Sequence, residues 1–358
     1  MSDVFAGNSW YAGDGPENDV VMSSRVRLAR NLADFPFPKL FRGDDADRIQ
    51  ALVFDTFAHE DAENGYYMVP TAALNERGAQ VLAEWGALDV PSGTGVVMQH
   101  TGATSCVVNT SDHVRIVSFV PGLSCTRAFE QCRVFDGILQ ERLQFAASYD
   151  FGYLTAALCD AGSGMKLSIR VHIPATVQAG KAAALISDVQ KRGFSVSAPF
   201  GIGGRTGEAL GSVYQISSAA AQLGTEIDQV ASMHAVGLLV AETERKIRAQ
   251  YAENNKTDIR NILLRAYALA KFSTFLEWRE SVDIISDLKW GMDSGLIGGI
   301  TDSEFSTLLF RIQDGHLSYL AHTGTFSFES DVARDRDKQV LRLRAVSVQE
   351  TVDKICFQ

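Results

Sequence analysis

A change of hydrophobic period near residue 224 constrains this chain more than any other feature of it. From about 95 to 220, short runs alternate apolar and polar residues: GVVMQH, TSCVVN, HVRIVSF, LSIRVHI, FSVSAPF and GSVYQIS. Period two is the pleat of a half-buried strand. Only Thr101, Gly102 and Ala103 separate the first two runs, a spacing that predicts a hairpin. Helical stretches interrupt the strands at about 124–147 and 174–192. Two more precede them: within 44–60, Ile49, Leu52, Val53 and Phe57 share a face, and 75–88 is spaced alike.

After Gly224 the strands stop. Thr225 and Asp228 form a capping signal, and Ile227, Val230, Met233, Val236 and Val240 follow at helical spacing. TDIRNILLRAYALAKF, SVDIISDLKWGMDSGL and TDSEFSTLLFRI continue the pattern, the last opened by Thr301 and Glu304. The expected class is α+β. An antiparallel sheet flanked by helices occupies 1–224, and an all-helical C-terminal domain occupies 225–358. Residues 1–19 read as a loose arm.

Composition narrows the function. The chain has 358 residues, which suggests two domains. Its net charge of −10 argues against non-specific nucleic-acid binding, which relies on basic neutralisation of phosphates. No apolar run approaches the roughly 18 residues of a membrane span. The polar, acidic first residues lack the pattern of a secretory signal. Five scattered cysteines (Cys106, Cys125, Cys132, Cys159, Cys356) show no CxxC or metal spacing, as expected for reduced thiols in a cytoplasm.

Several local patterns carry chemistry. SSRVRLAR, from Ser23 to Arg30, holds three arginines; if it is extended, Arg25 and Arg27 point the same way and can hold phosphates. The plainer reading is a solvated edge strand. VVNTSDHVRIVSF, from Val107 to Phe119, alternates and then breaks into Asn109, Thr110, Ser111, Asp112 and His113, with Arg115 two residues on. Such a cluster lines a site or turns a corner. LCDAGSGMKLSIRV places Gly162, Gly164 and Lys166 before a strand, where a backbone can approach an anion or simply turn. PFGIGGRTGEALGS reads as a mobile loop, either a lid with Arg205 at its tip or a hairpin. His172, on a strand, reads as structural, and Cys159 has no base beside it. There is no P-loop, Rossmann or zinc pattern.

Together these pieces resemble the ATP:guanido phosphotransferase family, and within it the bacterial protein arginine kinases of the McsB type. DVVMSSRVRLARNL looks like that family's phosphate-binding opening. VVNTSDHVRI stands where the family has Asn-Glu-Glu-Asp-His-x-Arg, and FGYLTAALCDAGSGMKLS lies over its glycine loop without a gap. GEALGSVYQIS, DLKWGMDSGLIGGIT and IQDGHLSYL complete the match from about 19 to 352. The resemblance implies a guanido-kinase catalytic-domain fold. It also implies phosphate-binding roles for Ser24, Arg25, Arg27, Arg115, Lys166 and Arg205.

The departures fall in the active site. Thr110 and Ser111 replace the paired glutamates, Ala157 the cysteine near the substrate, and Arg205 the second catalytic glutamate. Lys166 replaces an arginine, Phe200 stands at the loop-arginine position, and Gly86 replaces a histidine on the adenine side. The C-terminal phosphoarginine motif, Arg-Asp-x-x-Arg-Ala, survives only as Arg344-Ala345. Neither Thr nor Ser can take a proton from a guanidinium, so the resemblance with these changes implies a pseudokinase. It would be a binding or regulatory module with weak ATP and Mg binding, a protein partner, room for a homodimer and no dedicated metal site. The alternative is an enzyme that still transfers phosphoryl groups to protein arginine or another acceptor. In that case Asp112 is the only nearby base.

Overall fold

The computed structural model describes residues 9–60, 65–88, 93–203, 207–219 and 224–358. The N-terminal part runs β1 (Val21–Arg30), α1 (Asp45–Ala58), β2 (Tyr66–Pro70), α2 (Glu76–Glu84), β3 (Gly95–Gln99), β4 (Thr104–Val108), β5 (Val114–Pro121) and α3 (Cys125–Gln140). It continues through the short pair β6 (Ala147–Ser148) and β7 (Gly152–Tyr153), then β8 (Met165–His172), α4 (Pro174–Gln178), α5 (Ala182–Lys191), β9 (Phe194–Ser197) and β10 (Val213–Ser218). Eight strands form one antiparallel sheet in the order β2-β3-β4-β5-β1-β8-β10-β9. The arginine-rich strand β1 therefore lies inside the sheet, paired on both sides, and is not a solvated edge.

Alternation divides each strand between two faces. On one face Val26, Leu28, Ile116, Leu167 and Ile169 are fully buried and share a core with Phe129, Cys132, Phe135 and Leu139 of α3. The other face carries the cations described below. β2 falls on YYMVP, a run the sequence reading leaves unassigned. The helix expected over 124–147 ends at Gln140, and the one over 174–192 is two helices broken around Gly180. The N-terminal arm is not loose where it is described. Trp10 and Tyr11 are buried, with Trp10 stacked on Phe119 at 4.8 Å and Tyr11 on Phe310 at 4.4 Å.

The remaining elements are α6 (Glu226–Asn254), α7 (Lys256–Phe272), α8 (Trp278–Asp293), β11 (Ile297–Gly298), α9 (Asp302–Arg311), α10 (Asp314–Thr323), α11 (Arg336–Val352) and β12 (Cys356–Phe357), with β11 and β12 paired. The Thr225 capping box opens α6 as the sequence predicts. However, Val230, Met233, Val236, Val240 and Ala241 of α6 join the core beneath the sheet. Gly237 permits the close approach: a Cβ there would lie 2.4 Å from Leu123 Cδ1. A second core gathers from α7 onward, around Leu263, Val282, Leu288, Phe305 and Val348.

Between the two cores lies a charged seam. Arg245 and Arg248 of α6 pair with Asp19, Arg248 reaches Asp293, and Lys289 pairs with Asp293 and Asp302. Glu244, fully buried, accepts from the backbone N–H groups of Ala175 and Thr176 at the start of α4. His172 of β8 meets Ser286 of α8 through Nε2 at 2.8 Å. This contact assigns His172 the structural role expected of it.

Candidate active site

The face of the sheet turned away from the α3 core gathers its basic residues by register alone. Arg25 lies opposite Phe119 on β5 and Ser168 on β8, Arg27 lies opposite Val117 and Lys166, and Arg115 lies opposite Ala29. Cross-strand partners share a face, as do residues two apart. Arg25, Arg27, Arg115 and Lys166 therefore project from one surface across three adjacent strands. All four are half-buried. Arg170, which lies opposite Ser23 and Gln215, stands on the same surface and was not singled out in the sequence. The Arg25 guanidinium lies over the Phe119 ring, 5.9 Å from its centroid, and Arg115 Nη2 donates to Ser111 Oγ at 3.0 Å.

Ser24 is not part of this surface. One position from Arg25, it points to the opposite face and is fully buried. Its hydroxyl donates to the Gly122 carbonyl at 2.8 Å and accepts from Ser124 N–H at 2.9 Å. Ser24 thus ties the end of β5 to the start of α3, and its expected phosphate contact is withdrawn. Arg27 is on the expected face, but its guanidinium pairs with the buried carboxylate of Asp160 in the glycine-loop segment.

The polar run that follows β4 turns a corner. Asn109 adopts φ of +58°, a left-handed conformation that Asn tolerates better than most residues. Its N–H donates to the His113 carbonyl at 2.8 Å, closing a hairpin between β4 and β5. Thr110 and Ser111 form its tip. Asp112 is turned inward and buried, and Oδ1 accepts from Asn31 Nδ2 at 2.8 Å and Ala156 N–H at 2.7 Å. Asn31 also accepts from His113 N–H at 2.9 Å, so one side chain links the hairpin to β1. Oδ1 thus holds the backbone before the glycine loop, while Oδ2 accepts from Ser111 Oγ at 3.3 Å. His113 Nδ1 accepts from Leu32 N–H at 2.9 Å, which makes Nε2 the donor to the Pro36 carbonyl at 2.7 Å. Burial lowers its basicity, and the ring is a neutral structural link.

Arg30 buttresses the glycine loop, a role the sequence reading missed. Its guanidinium is buried and holds Asp136 of α3 through Nε at 2.9 Å and Nη2 at 3.1 Å. Nη1 donates to the carbonyls of Ala29 and Ser163, and Tyr153 stacks beneath at 3.7 Å. Gly164, at φ of +64°, is required there, since a Cβ would lie 2.5 Å from Arg30 Nη1. The third arginine of SSRVRLAR was a visible signal, but its alternation onto the core face was needed to give it this role. Ala157 precedes the turn Leu158–Asp160, and its carbonyl accepts from Thr155 Oγ1 at 2.8 Å. Arg205, the tip of the expected lid, lies with 204 and 206 outside the described residues. Phe200 packs edge-on against Trp278 at 5.8 Å, and the Arg170 guanidinium lies 5.5 Å over its ring.

In the C-terminal part, Arg344 is fully buried. It donates to the carbonyls of Ile312 at 2.8 Å and Leu276 at 2.9 Å and pairs with Asp314. Its donors staple three segments together. Among the described residues no helix is long and apolar enough to cross a membrane.

A sheet with one cationic face, a glycine-loop segment alongside and a helical C-terminal part defines the guanidino-kinase class of phosphotransferase fold. Residues 53–247 match the ATP:guanido phosphotransferase C-terminal catalytic domain, and residues 256–353 match the protein-arginine kinase McsB C-terminal domain. The chain belongs to the ATP:guanido phosphotransferase family. It is 30% identical over 335 residues to a protein-arginine kinase of Geobacillus sp., covering 91% of each chain. It is 29% identical over 330 residues to one of Halothermothrix orenii, covering 91% of this chain and 93% of that one. In fold it is similar to a lombricine kinase (TM-score 0.57, 18% identity, 67% of this chain and 70% of that one). It is also similar to the duplicated taurocyamine kinase of Schistosoma mansoni (TM-score 0.55, 21% identity), covering 65% of this chain and about a third, 34%, of that one.

Proposed function

We propose that this chain is a nucleotide-binding pseudokinase of its family, a scaffold that retains a phosphate-binding face and has lost transfer to arginine. One observation carries the reading. Among the described residues the cations are gathered on one face, hydroxyls stand at 110 and 111, and the neighbouring carboxylates Asp112 and Asp160 are engaged by other groups. Thr110 and Ser111 form the hairpin tip, Asp112 holds Asn31 and Ala156, and Asp160 holds Arg27.

A guanidinium is protonated near neutral pH and cannot attack a phosphorus atom until its proton is taken. A positioned base contributes about 10²–10⁴-fold to such a step. Hydroxyls at 110 and 111 offer no base and no counter-charge for a cationic acceptor. Arg25, Arg115 and Lys166 suit an anion instead, and phosphates of ATP, with Mg sharing their charge, fit that face. The buried donors of Arg344 support a loss of phosphoarginine recognition by that motif. A cytoplasmic location belongs to the same reading and is supported by the free thiols of Cys106, Cys125, Cys132, Cys159 and Cys356. A protein partner and a homodimer are further parts of it, motivated by the resemblance.

The competing reading, residual phosphoryl transfer to protein arginine or another acceptor, draws on the same retained arginines. Calorimetric titration of Mg-ATP into the chain and its Arg25→Gln variant tests the binding half. We expect weak binding that Arg25→Gln abolishes; no binding by the unaltered chain would overturn it.

A further inference from the structure

We infer that helix α8 of the helical part fixes the glycine-rich loop between β9 and β10, with Arg279 and Asp283 as its positioning residues, and so sets the flank of the cationic face from outside the sheet. The inference goes beyond the nucleotide-binding reading and does not depend on it.

Three observations carry it. The first is where the loop packs. β9 and β10 pair within the sheet, yet described residues between them join the second core. Leu210 is fully buried in that core, and Phe200 packs against it and meets Trp278 of α8 edge-on at 5.8 Å. The same Phe200 ring lies under the guanidinium of Arg170, on the cationic face.

The second is that α8 holds both limbs of the loop by specific polar contacts. On the first limb, Arg279 Nη2 donates to the Ile202 carbonyl. Gly201 and Gly203 flank Ile202 at φ of +96° and +100°, conformations that favour glycine. A Cβ on Gly203 would lie 3.1 Å from Arg279 Nη2. On the second limb, Asp283 Oδ1 accepts from Gly211 N–H at 2.8 Å, and a Cβ on Gly211 would lie 2.7 Å from Val282 Cγ1. The limbs are tied to each other: Leu210 N–H donates to the Gly201 carbonyl at 2.9 Å, and Gly203 N–H to the Glu208 carbonyl at 3.0 Å. Arg279 and Asp283 are four residues apart on α8, so both face the loop.

The third is that α8 cannot move alone. From Ser281 to Gly291 every residue but Asp283 is buried. A helix buried on all sides moves only with the core packed around it. Further along, Ser286 Oγ meets His172 Nε2 of β8, and Lys289 and Asp293 join the charged seam with Arg248 of α6. One helix thus connects the loop, the sheet and the seam, a contiguous link through which a displacement of the helical part reaches the loop.

Amide hydrogen exchange of the full chain without ligand tests this, on Arg279→Ala, Asp283→Ala and the conservative Arg279→Lys and Asp283→Asn. The amides read are Gly203 and Leu210, which donate to the loop's own carbonyls and not to α8. Each alanine variant should speed their exchange by about three- to ten-fold, the worth of one hydrogen bond lost from the loop's anchorage. Exchange in β1 and β8 should match the unaltered chain. Asp283→Asn keeps the Oδ1 acceptor and should restore most of the protection; Arg279→Lys keeps a donor and should restore part of it. Unchanged exchange at Gly203 and Leu210 in both alanine variants would overturn the inference. Equal acceleration in the loop and in β1 and β8 would also overturn it, by making the two residues general stabilisers of the fold. No nucleotide is present, so failure here leaves the nucleotide-binding reading standing, and failure of that reading leaves this one standing.

Discussion

The carboxylate of Asp160 lies on the guanidinium of Arg27, one of the cations that share a face of the sheet with Arg25, Arg115 and Lys166. Both side chains are largely shielded, at 17% and 11% exposure, so water screens the pair weakly. An anionic ligand must compete with Asp160 for that arginine. Asp160→Asn should therefore tighten triphosphate or Mg-ATP binding by about ten-fold, the worth of one freed charged contact. Calorimetry on the variant checks this; unchanged or weaker affinity would mean Arg27 takes no part in binding.

Arg30 acts on the site from the other side of the sheet. Replacing it with Met leaves Asp136 buried opposite no charge and removes the donors that hold Ser163. Breaking such a pair costs about 3–5 kcal/mol, and a denaturant titration of Arg30→Met should show a loss of that order. A loss well under half of it would show that Asp136 finds another partner.

Acids placed at 110 and 111 test the proposed loss of transfer. Thr110→Glu with Ser111→Glu puts carboxylates on the hairpin tip, but Asp112 stays turned inward. The double variant should yield no phosphoarginine unless Arg205 is also replaced, because an arginine at a glutamate position repels a guanidinium. Phosphoarginine from the double variant alone would show that the two hydroxyls are the whole defect.

His172 gives a pH dependence. Burial, and then the charges of Lys289 and Arg248, hold its pKa well below 6.5. An imidazole kept neutral in the folded state takes up a proton on unfolding below its ordinary pKa. Its contribution is therefore complete above about pH 6.5 and falls as the solution is acidified. Denaturant midpoints at pH 7.5 and 5.0 should fall less on acidification in His172→Gln than in the unaltered chain. Equal falls would remove His172 as a source of acid sensitivity.

The strands and most helix starts were legible because period and caps are local. GVVMQH and TSCVVN pair as a hairpin through residues 100–103, and Thr225 and Thr301 cap as their spacing predicts. What a segment packs against is not local. The period changes at 225, yet α6 belongs to the core under the sheet, because Gly237 and its apolar stripe meet Leu123 and Ile169 from far upstream. The same limit held at the site. Alternation put Arg25 and Arg27 on one face, and it also turned Ser24 and Arg30 away. It could not show that Asp160 would close on Arg27 or that Arg170 would enter from β8. Those facts rest on strand order, which pairs β1 with β8 across about 140 residues.

The central claim is that the cationic face binds phosphate while transfer to arginine has ceased. Its most direct test is phosphoarginine detection after incubation of the chain with Mg-ATP and an arginine-rich protein acceptor, scored by acid-labile, base-stable label. The account predicts no label above that of an Arg25→Gln control. Robust phosphoarginine that disappears in that control would contradict it.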